Sequence, residues 1–484
     1  MPITLQLLDE VNCKFLNLDL DVRKSLIRKY KIPIPNARYL PSVRLGRWDG
    51  CVNFFNLGGS TYINLLPEIV EYLESRGIEI ELDDQRQTAI NFEFDPVTES
   101  SFSHKCWGKG HSLEGQPIIL RDYQVEAINK FLINLQGLGE IATGAGKSLI
   151  TAALSQRVEK YGRSIVIVPS KTLVEQTEED YINLGLDVGV YFGDRKEINK
   201  THTICTWQSL GNLMKKSKSG EVEFTIQDFL DGVVCVMVDE AHSAKSEVLK
   251  TLLAGVMSNI PIRWGLTGTI PKEAFETMTL LVGLGEVFHK LPASELQEEG
   301  VLSNCHIHVL QMQDFRDYKS YAEEIKYLVE DHERLKYIAE TIVEIAKTGN
   351  TLVLVPRISA GQQLAEMISD SVFLEGGTKS ADRKEQYDDV AIATNKVIVA
   401  TTGIAAVGIN IPRIFNLVLL ESGKSFVRTI QSIGRGLRKA HDKDFVDVYD
   451  FCSSCKFSKR HLTKRKAFYS AAGYPFTVEK VDWL

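Results

Sequence analysis

The chain has 484 residues, of which 44% are hydrophobic and 25% charged. This composition excludes intrinsic disorder, collagen-like repeats and a small disulfide scaffold as overall descriptions, and the length predicts about two to four domains. The net charge of −7 excludes a uniformly basic nucleic-acid coat, so a polyanion site requires local clustering of cations. No signal-like segment or long apolar run is visible, so we expect a cytoplasmic protein with reduced cysteines and no membrane association.

Residues 1–110 differ from the rest of the chain in charge pattern. The alternation at Thr4–Leu8 predicts an opening strand, and Leu65–Gly77 predicts an amphipathic helix. Two short strands are expected around the turn Gly46–Gly50. The stretch Val22–Trp48 contains no acidic residue. Its cations are Arg23, Lys24, Arg28, Lys29, Lys31, Arg38, Arg44 and Arg47. Such a run predicts a duplex or junction surface that contacts phosphates, with a solvated helix and loop as the alternative.

From residue 118 onward, short β-branched runs alternate with helical patterns. Examples of these runs are Ile165–Val168, Val233–Val238, Thr351–Val355, Val397–Ala400 and Leu417–Leu420. Unbroken apolar strands separated by helices predict parallel sheets that are covered on both faces. We place a division near residue 305 and interpret residues 95–117 as a linker. No tandem repeat is visible in the sequence, although two similar α/β domains would fit it.

The strongest local motif is the glycine-rich run Ala142–Ser148. It precedes an apolar helical pattern, so its backbone N–H groups would point at an anion. In phosphate-binding loops of this kind, Lys147 would reach the β- and γ-phosphates and Ser148 would ligate magnesium. The strict spacing expects a glycine where Ile141 stands. A tight turn with a solvated lysine is the alternative.

Paired carboxylates follow the apolar run Val234–Val238. At the carboxyl edge of a parallel sheet, Asp239 would hold magnesium through water and Glu240 would orient and deprotonate an attacking water. His242 would couple this site to neighbouring segments. An exposed surface turn is the alternative interpretation.

Two further runs are basic. In Gln431–Arg438, the guanidinium groups of Arg435 and Arg438 lie on one helical face and suit phosphate oxygens, unless this face is simply solvated. A later run lies between Phe451 and Thr477, where no acidic residue occurs. This later run is interpreted either as a nucleic-acid contact or as a plain solvated helix.

The order of these motifs resembles superfamily 2 of the helicases. The segment Leu266–Thr269 is one of the motifs in this order, and weaker segments fit the same order: Leu120–Gln124, Ile167–Ser170, Cys205–Ser209, Ala400–Thr402 and Gly408–Asn410. An aspartate is often found in the family where Asn410 stands here. The turn Leu45–Gly50 adds a narrower resemblance to phage UvsW-type branch-migration helicases with a DEAH box, which carry a small N-terminal nucleic-acid domain.

The resemblance implies an α/β fold with two RecA-like parallel-sheet domains in tandem and a small N-terminal α+β accessory domain. The expected boundaries are 1–110 for the nucleic-acid-binding accessory domain, 111–305 for the ATP-binding RecA-like domain and 306–455 for the second RecA-like domain. Residues 456–484 are expected to be a basic extension packed on the second domain.

The resemblance also assigns an ATP site. Gln124 would read adenine, with Arg121 nearby. The remaining expected ATP contacts are Thr143, Gly144, Ala145, Gly146, Lys147, Ser148 and Gly408. Ser148 and Asp239 would hold Mg²⁺, while His242, Thr267 and Thr269 would couple hydrolysis to strand movement. Gln431, Arg435 and Arg438 would meet the γ-phosphate as a catalytic finger, which is worth about 10³–10⁵ in rate.

Expected nucleic-acid contacts carry hydroxyl, amide, aromatic or guanidinium groups. Hydroxyl and amide groups suit phosphates without reading bases. Trp207 could stack on a base, or be a core residue. The expected contacts are Ser170, Thr206, Trp207, Gln208, Thr401, Thr402, Arg44, Arg47 and Trp48.

The expected function is an ATP-dependent DNA helicase or translocase that remodels branched DNA by branch migration, fork regression or unwinding. ATP would open and close the two domains. Expected partners are single-stranded, duplex and branched DNA and a single-strand-binding or recombination protein, with a monomer favoured and the host cytoplasm as location if the protein is phage-encoded. A duplex translocase, an RNA helicase and a nucleotide-switched annealing or binding protein are the alternatives.

Overall fold

The structure is a computed structural model that divides into two compact units. The first unit contains residues 1–141 and 146–290, and the second contains residues 142–145 and 291–484. The residues described are 3–87, 90–109, 111, 113–243, 246–271, 273–374, 393–402, 413–423, 445–471 and 473–483. The expected domain boundaries stay predictions. Among the described residues, no helix is both long and apolar enough to cross a lipid bilayer.

Residues 3–87, here called the N-terminal module, form a small α+β structure. Its sheet has the order β5-β2-β1-β6, and β3 pairs with β4. The elements are β1 (Ile3–Leu7), β2 (Asn12–Leu16), α1 (Leu20–Lys29), β3 (Lys31–Pro33), α2 (Pro41–Arg44), β4 (Cys51–Asn53), β5 (Ser60–Tyr62), α3 (Leu66–Glu74) and β6 (Ile80–Asp84). The expectation of two strands around Gly46–Gly50 is wrong in its first half, because Pro41 begins a short helix before the turn, a position that proline favours.

The N-terminal module shares a hydrophobic core with the first unit's large sheet domain. Phe54 of the module lies 6.2 Å, ring centroid to ring centroid, from Phe275, and both side chains are buried. The ammonium of Lys250 lies 4.2 Å from the Phe54 ring centroid, and the backbone N–H of Glu10 donates to Ser258 O at 3.0 Å. Removing residues 1–110 would therefore expose apolar side chains of the sheet domain to water.

The large sheet of the first unit has eight strands in the order β10-β9-β11-β8-β12-β13-β7-β14. Its central strands are almost entirely buried, which explains their unbroken apolar runs. The elements are α4 (Asp122–Ile133), β7 (Gln136–Ile141), α5 (Lys147–Val158), β8 (Arg163–Val168), α6 (Lys171–Asn183), β9 (Val188–Phe192), β10 (Arg195–Lys196), β11 (His202–Thr206), α7 (Trp207–Ser219), α8 (Ile226–Leu230), β12 (Val233–Asp239), α9 (Ser246–Thr251), β13 (Ile262–Thr267), α10 (Ala274–Leu284), β14 (Val287–Leu291) and α11 (Ala293–Glu298).

The second unit contains a seven-stranded sheet in the order β17-β18-β16-β19-β20-β15-β21. Every pairing in it is parallel. The described elements are β15 (Asn304–Met312), α12 (Tyr321–Glu330), α13 (His332–Ala346), β16 (Thr351–Val355), α14 (Ile358–Met367), β17 (Val372–Leu374), β18 (Val397–Thr401), β19 (Asn416–Leu420), β20 (Phe445–Ser453), α15 (Lys456–Ala471) and β21 (Phe476–Val481).

The two sheets repeat one topology. Leaving out β10 at the edge, the strands of the first sheet, ranked by chain order, lie in the spatial order 3-4-2-5-6-1-7, and the second sheet has the same order. The α/β class with two tandem parallel sheets is thereby confirmed. The two domains therefore repeat one strand order, although no repeat is visible in the sequence.

The later basic run forms α15. One of its cations, Arg465, is fully buried, and its Nε donates to Asp450 Oδ2 at 2.8 Å. Arg465 is thus a structural residue, whereas Lys459 and Arg460 are exposed.

Candidate active site

The glycine-rich loop connects β7 to α5 over residues 142–146. Gly144 and Gly146 have φ angles of 95° and 80°, which glycine adopts without the steric cost that a side chain brings. A Cβ on Gly146 would lie 2.6 Å from Nε2 of Gln124. Ile141, where the strict spacing expects glycine, is still part of the buried strand, so the departure from the pattern precedes the loop.

Gln124 connects the start of α4 to this loop. Its side chain is buried, and its Oε1 accepts a hydrogen bond from the backbone N–H of Arg121 at 3.0 Å. The Arg121 guanidinium donates to Tyr123 Oη at 3.0 Å. Gln124 therefore lies against Gly146, while its role as the adenine reader stays a prediction.

Lys147 and Glu240 form a buried ion pair. Lys147 Nζ lies 3.1 Å from Glu240 Oε1, and each side chain is only 8% exposed. Glu240 has a φ of 49°, an uncommon angle for a residue other than glycine, and its backbone N–H donates to Asp239 Oδ1 at 2.8 Å. The lysine expected to bind phosphate is thus paired with the carboxylate expected to activate water.

The electrostatics of this site favour an added cation. Burial, and secondarily the charge of Glu240, raise the pKa of Asp239 to about 7, while the charge of Lys147 opposes the shift. A carboxylate of this kind is stabilised in its charged form when a cation comes close. The carboxylate of Asp239 and the hydroxyl of Ser148 are hard oxygen ligands of the kind that Mg²⁺ prefers.

The donor set fits a magnesium ion that arrives with its nucleotide. Within the described ranges, no group of three or more His, Cys, Asp or Glu side chains could hold a metal ion. Magnesium usually takes one or two protein ligands and completes its coordination with phosphate oxygens and water. The expected ligands Ser148 and Asp239 are consistent with that pattern.

Sequence reasoning missed one carboxylate at this site. Burial raises the pKa of Asp180, on α6, to about 6, and the neighbouring Ser148 side chain partly opposes this shift. No motif includes Asp180, and its distance from Ser148 along the chain gives no signal. Only the packing of α6 against α5 brings the two side chains together.

The three expected coupling residues meet at the ends of two neighbouring strands. β12 and β13 pair in parallel, with Asp239 opposite Leu266. Nδ1 of His242 lies 2.6 Å from Thr267 Oγ1, and Thr267 Oγ1 donates to the backbone oxygen of Thr269 at 2.9 Å. A hydrogen-bonded path therefore connects the segment after Glu240 to the next strand.

Two expected phosphate contacts begin helices at the same sheet edge. Ser170 caps α6 by accepting from the backbone N–H of Leu173, and Thr206 caps α7 in the same way. Gln208 is exposed, and its Nε2 donates to Pro169 O at 3.4 Å. Trp207 packs against the hydrophobic core, and its buried indole N–H has no hydrogen-bond partner, which favours the core interpretation for this residue.

The other expected residues belong to the second unit or to the N-terminal module. In the second unit, Thr401 ends β18, and Thr402 Oγ1 donates to Val355 O at 3.0 Å. Gly408, Gln431, Arg435 and Arg438 lie outside the described residues.

In the N-terminal module, Arg44 and Arg47 are exposed. The indole N–H of the half-buried Trp48 donates to Cys51 O at 2.9 Å. Arg47 and Trp48 line an open surface depression together with Asp49. Lys31 of the same basic run is paired with Asp49 at 2.6 Å, so the run is partly neutralised.

A parallel sheet with a glycine loop, a following lysine and a buried acidic pair defines a class of protein, the phosphate-loop nucleotide hydrolases. The family "Type III restriction enzyme, res subunit" matches residues 117–272. The family "Helicase conserved C-terminal domain" matches residues 333–440. Together these ranges span more than half of the chain. The chain belongs to superfamily 2 of the helicases and is an ATP-driven enzyme.

Several known proteins are similar to this chain. The ATP-dependent DNA helicase uvsW of Enterobacteria phage T4 is 25% identical over 455 residues, covering 89% of this chain and 87% of that protein. A structure of the ATP-dependent Type ISP restriction-modification enzyme LlaBIII bound to DNA has a TM-score of 0.56 at 16% identity, over 86% of this chain and 34% of that one. Dbp5 of S. cerevisiae, bound to RNA and ADP BeF3, has a TM-score of 0.54 at 14% identity, over 76% of this chain and 90% of that one. The two structures support the fold alone.

Proposed function

We propose that this protein is an ATP-dependent DNA helicase or translocase that remodels branched DNA by branch migration, fork regression or unwinding. The observation that carries the proposal is the span of the similarity to the phage DNA helicase, which covers 89% of this chain and 87% of that protein. The unmatched 11% of the chain is about 53 residues, fewer than the N-terminal module contains, so the match includes part of that module as well as the sheets. The substrate is therefore proposed from the whole chain and not from the ATP site alone.

ATP binding would reorganise the ion pair between Lys147 and Glu240. The ammonium of Lys147 would leave Glu240 and bind the β- and γ-phosphates, which carry more negative charge than one carboxylate. Glu240 would then be free to orient a water molecule and accept its proton. Magnesium, held by Ser148 and Asp239, would neutralise phosphate charge when bound. The resemblance assigns further γ-phosphate contacts to Gln431, Arg435 and Arg438, and an ATP contact to Gly408.

Nucleic-acid binding would rely on phosphate contacts. Ser170, Thr206 and Gln208 form a polar sheet edge whose hydroxyl and amide groups can contact a phosphate backbone without reading its bases. Thr401 and Thr402 are the proposed counterparts in the second unit. Arg44, Arg47 and Trp48 would bind the branched or duplex part of the substrate.

The decisive experiment compares ATPase rates at fixed low salt with different nucleic acids. The effectors are single-stranded DNA, duplex DNA, a four-way DNA junction and single-stranded RNA, and the Lys147→Ala variant is the blank. The greatest stimulation by branched DNA is the expected result. Greatest stimulation by duplex DNA without strand separation would favour the translocase, greatest stimulation by RNA would favour an RNA helicase, and no stimulation by any effector would reject the proposed motor.

The N-terminal surface is tested by the double variant Arg44→Gln, Arg47→Gln. Loss of two phosphate contacts should lower the slope of log affinity against log salt by about 2 for a four-way junction, because each contact contributes roughly 0.9. The ATPase rate without DNA should not change. The matched control is Lys347→Gln, which removes an exposed cation of the second unit. A salt slope equal to that of the parent would exclude these two arginines from the interface.

A further inference from the structure

The loop that connects β3 to β4, residues 34–50, is held in one conformation by its own backbone hydrogen bonds. The N–H of Ile34 donates to Gly50 O at 2.8 Å and closes the base of the loop. Within it, the N–H of Arg47 donates to Ser42 O at 2.9 Å. The conformation of this β3–β4 loop is thus set before a ligand binds, which lowers the entropic cost of binding.

Three large apolar side chains of the β3–β4 loop are exposed to water. Tyr39, Leu40 and Leu45 are 64%, 41% and 65% exposed, whereas Phe54 and Leu26 of the same module are buried. Leu40 and Leu45 flank the two ends of α2, and Tyr39 ends the helical turn that precedes it. Exposed apolar side chains that lie so close together indicate a binding surface.

Cations alternate with these apolar side chains along the loop. Arg38, Arg44 and Arg47 are all exposed. No acidic residue of the loop precedes Asp49, which pairs with Lys31 of β3 at 2.6 Å. This surface is therefore complementary to a polyanion that also presents apolar groups.

The chemistry of the exposed side chains favours DNA with an opened base step as that polyanion. The guanidinium of Arg38 lies 4.8 Å from the ring centroid of Tyr39 and donates to its hydroxyl at 2.9 Å. Aromatic rings and guanidinium planes both stack on bases. In an intact duplex the base faces are covered by their neighbours, whereas apolar side chains inserted between base steps contact faces that have become unstacked.

We propose that the three exposed apolar side chains of the β3–β4 loop contact the bases of an opened base-pair step at a DNA branch point, while its three arginines bind the flanking phosphates. This inference rests on the proposed DNA function and deepens it, because it names the feature of branched DNA that is recognised. Contacts with bases release no counterions from phosphates. They should therefore add affinity for a junction without changing its salt dependence.

The test measures binding to a four-way DNA junction and to a linear duplex, without ATP. The junction carries 2-aminopurine at the branch point, and the duplex carries it at an internal step. The full-length double variant Tyr39→Ser, Leu45→Ser changes only exposed side chains, so its melting temperature should equal that of the parent. The parent should increase the fluorescence of the junction more than that of the duplex, because unstacking a base exposes the probe.

The double variant should lose most of this fluorescence increase and should bind the junction about 10- to 100-fold more weakly than the parent. Its affinity for the linear duplex and its slope of log affinity against log salt should match those of the parent. The matched control is Leu57→Ser, which changes a side chain that is 56% exposed in the same module but lies outside the loop. This control should bind both DNAs as the parent does.

Two results would overturn the proposal. Equal losses of affinity for the junction and the duplex would make the loop a general duplex contact. A junction affinity and fluorescence increase equal to those of the parent would exclude contact with the bases and favour a protein as the partner of this surface. Because binding is measured without ATP, failure of the proposed ATP-driven motor would appear separately, as absent stimulation in the effector experiment.

Discussion

The buried pair of Lys147 and Glu240 has a testable consequence for ATP binding. Both side chains are 8% exposed and their charged atoms lie 3.1 Å apart, so the pair must open before Lys147 can bind phosphates. The substitution Glu240→Gln keeps the shape of the side chain and removes its charge. We therefore expect a variant that binds ATP more tightly than the parent and hydrolyses it far more slowly.

The size of both effects follows from the geometry. At an effective dielectric constant of about 20, two unit charges at this separation attract each other by roughly 5 kcal/mol. Desolvation of the two groups offsets much of this attraction. A net gain of about 1–2 kcal/mol corresponds to roughly 5- to 30-fold tighter ATP binding. Loss of the proton acceptor should slow hydrolysis by about 10²–10⁴.

The assay has two arms. Equilibrium titration with a non-hydrolysable ATP analogue compares binding by the parent, by Glu240→Gln and by the exposed control Glu175→Gln, and single-turnover measurements give the hydrolysis rates. Equal or weaker binding by Glu240→Gln would refute the idea that the ion pair opposes ATP. DNA remodelling that persists after hydrolysis is lost would support the nucleotide-switched binding protein and not the motor.

Three further variants test the structural reasoning. Gly146→Ala should lower ATP affinity at least tenfold without changing the fold, because Gly146 has a φ of 80° and its added Cβ would lie 2.6 Å from Gln124 Nε2. The control is Gly220→Ala, because Gly220 has a similar φ of 71° but open space around its Cβ, so ATP binding should not change. Arg263→Met should lower the free energy of unfolding by about 3–5 kcal/mol, because the buried guanidinium donates to four backbone carbonyls and each would lose its partner. Denaturant unfolding measures this change, and a decrease below about 1 kcal/mol would contradict the reasoning. Burial holds the pKa of His202 below its usual 6.5, so the unfolded chain takes up its proton first as pH falls, and stability should decrease below about pH 6.5. Thermal melting of His202→Gln should show a smaller loss of stability as pH falls. A pH profile identical to that of the parent would contradict the idea that burial of His202 causes the loss.

The arrangement of the candidate ATP-site residues was largely predictable because it follows from the local sequence, while their roles stay predictions. Gly146 and Lys147 are neighbours, and their roles follow from one turn and one helix start. Asp239 and Glu240 directly follow an apolar strand, whose end lies at the same sheet edge. The raised pKa of Asp180 could not be predicted, because its burial arises from the packing of helices that are distant in the chain. The partial burial of Trp207 likewise depends on side chains that are distant in the chain.

The sequence predicted the α+β class of the N-terminal module but not how the module packs against the large sheet domain. Its charge pattern and its alternating first strand distinguish it from the rest of the chain. Phe275 lies on an apolar helix of the large sheet domain, and nothing local indicates that it packs against Phe54. The helix at Pro41–Arg44 was missed because short strands and one-turn helices have similar local signals.

Because the second sheet repeats the strand order of the first, it has a position equivalent to the candidate ATP site. In the second unit, the segment that corresponds to the glycine loop is residues 313–320, which contain no glycine. The carboxylate that corresponds to Glu240 is Glu421, at a φ of 45°, and it is bound at 3.0 Å by the buried guanidinium of Arg334. In the described part of this unit, a fixed cation therefore takes the place that a phosphate-binding lysine would need. We therefore expect one ATP per chain, and a sigmoidal dependence of the hydrolysis rate on ATP would indicate association between chains.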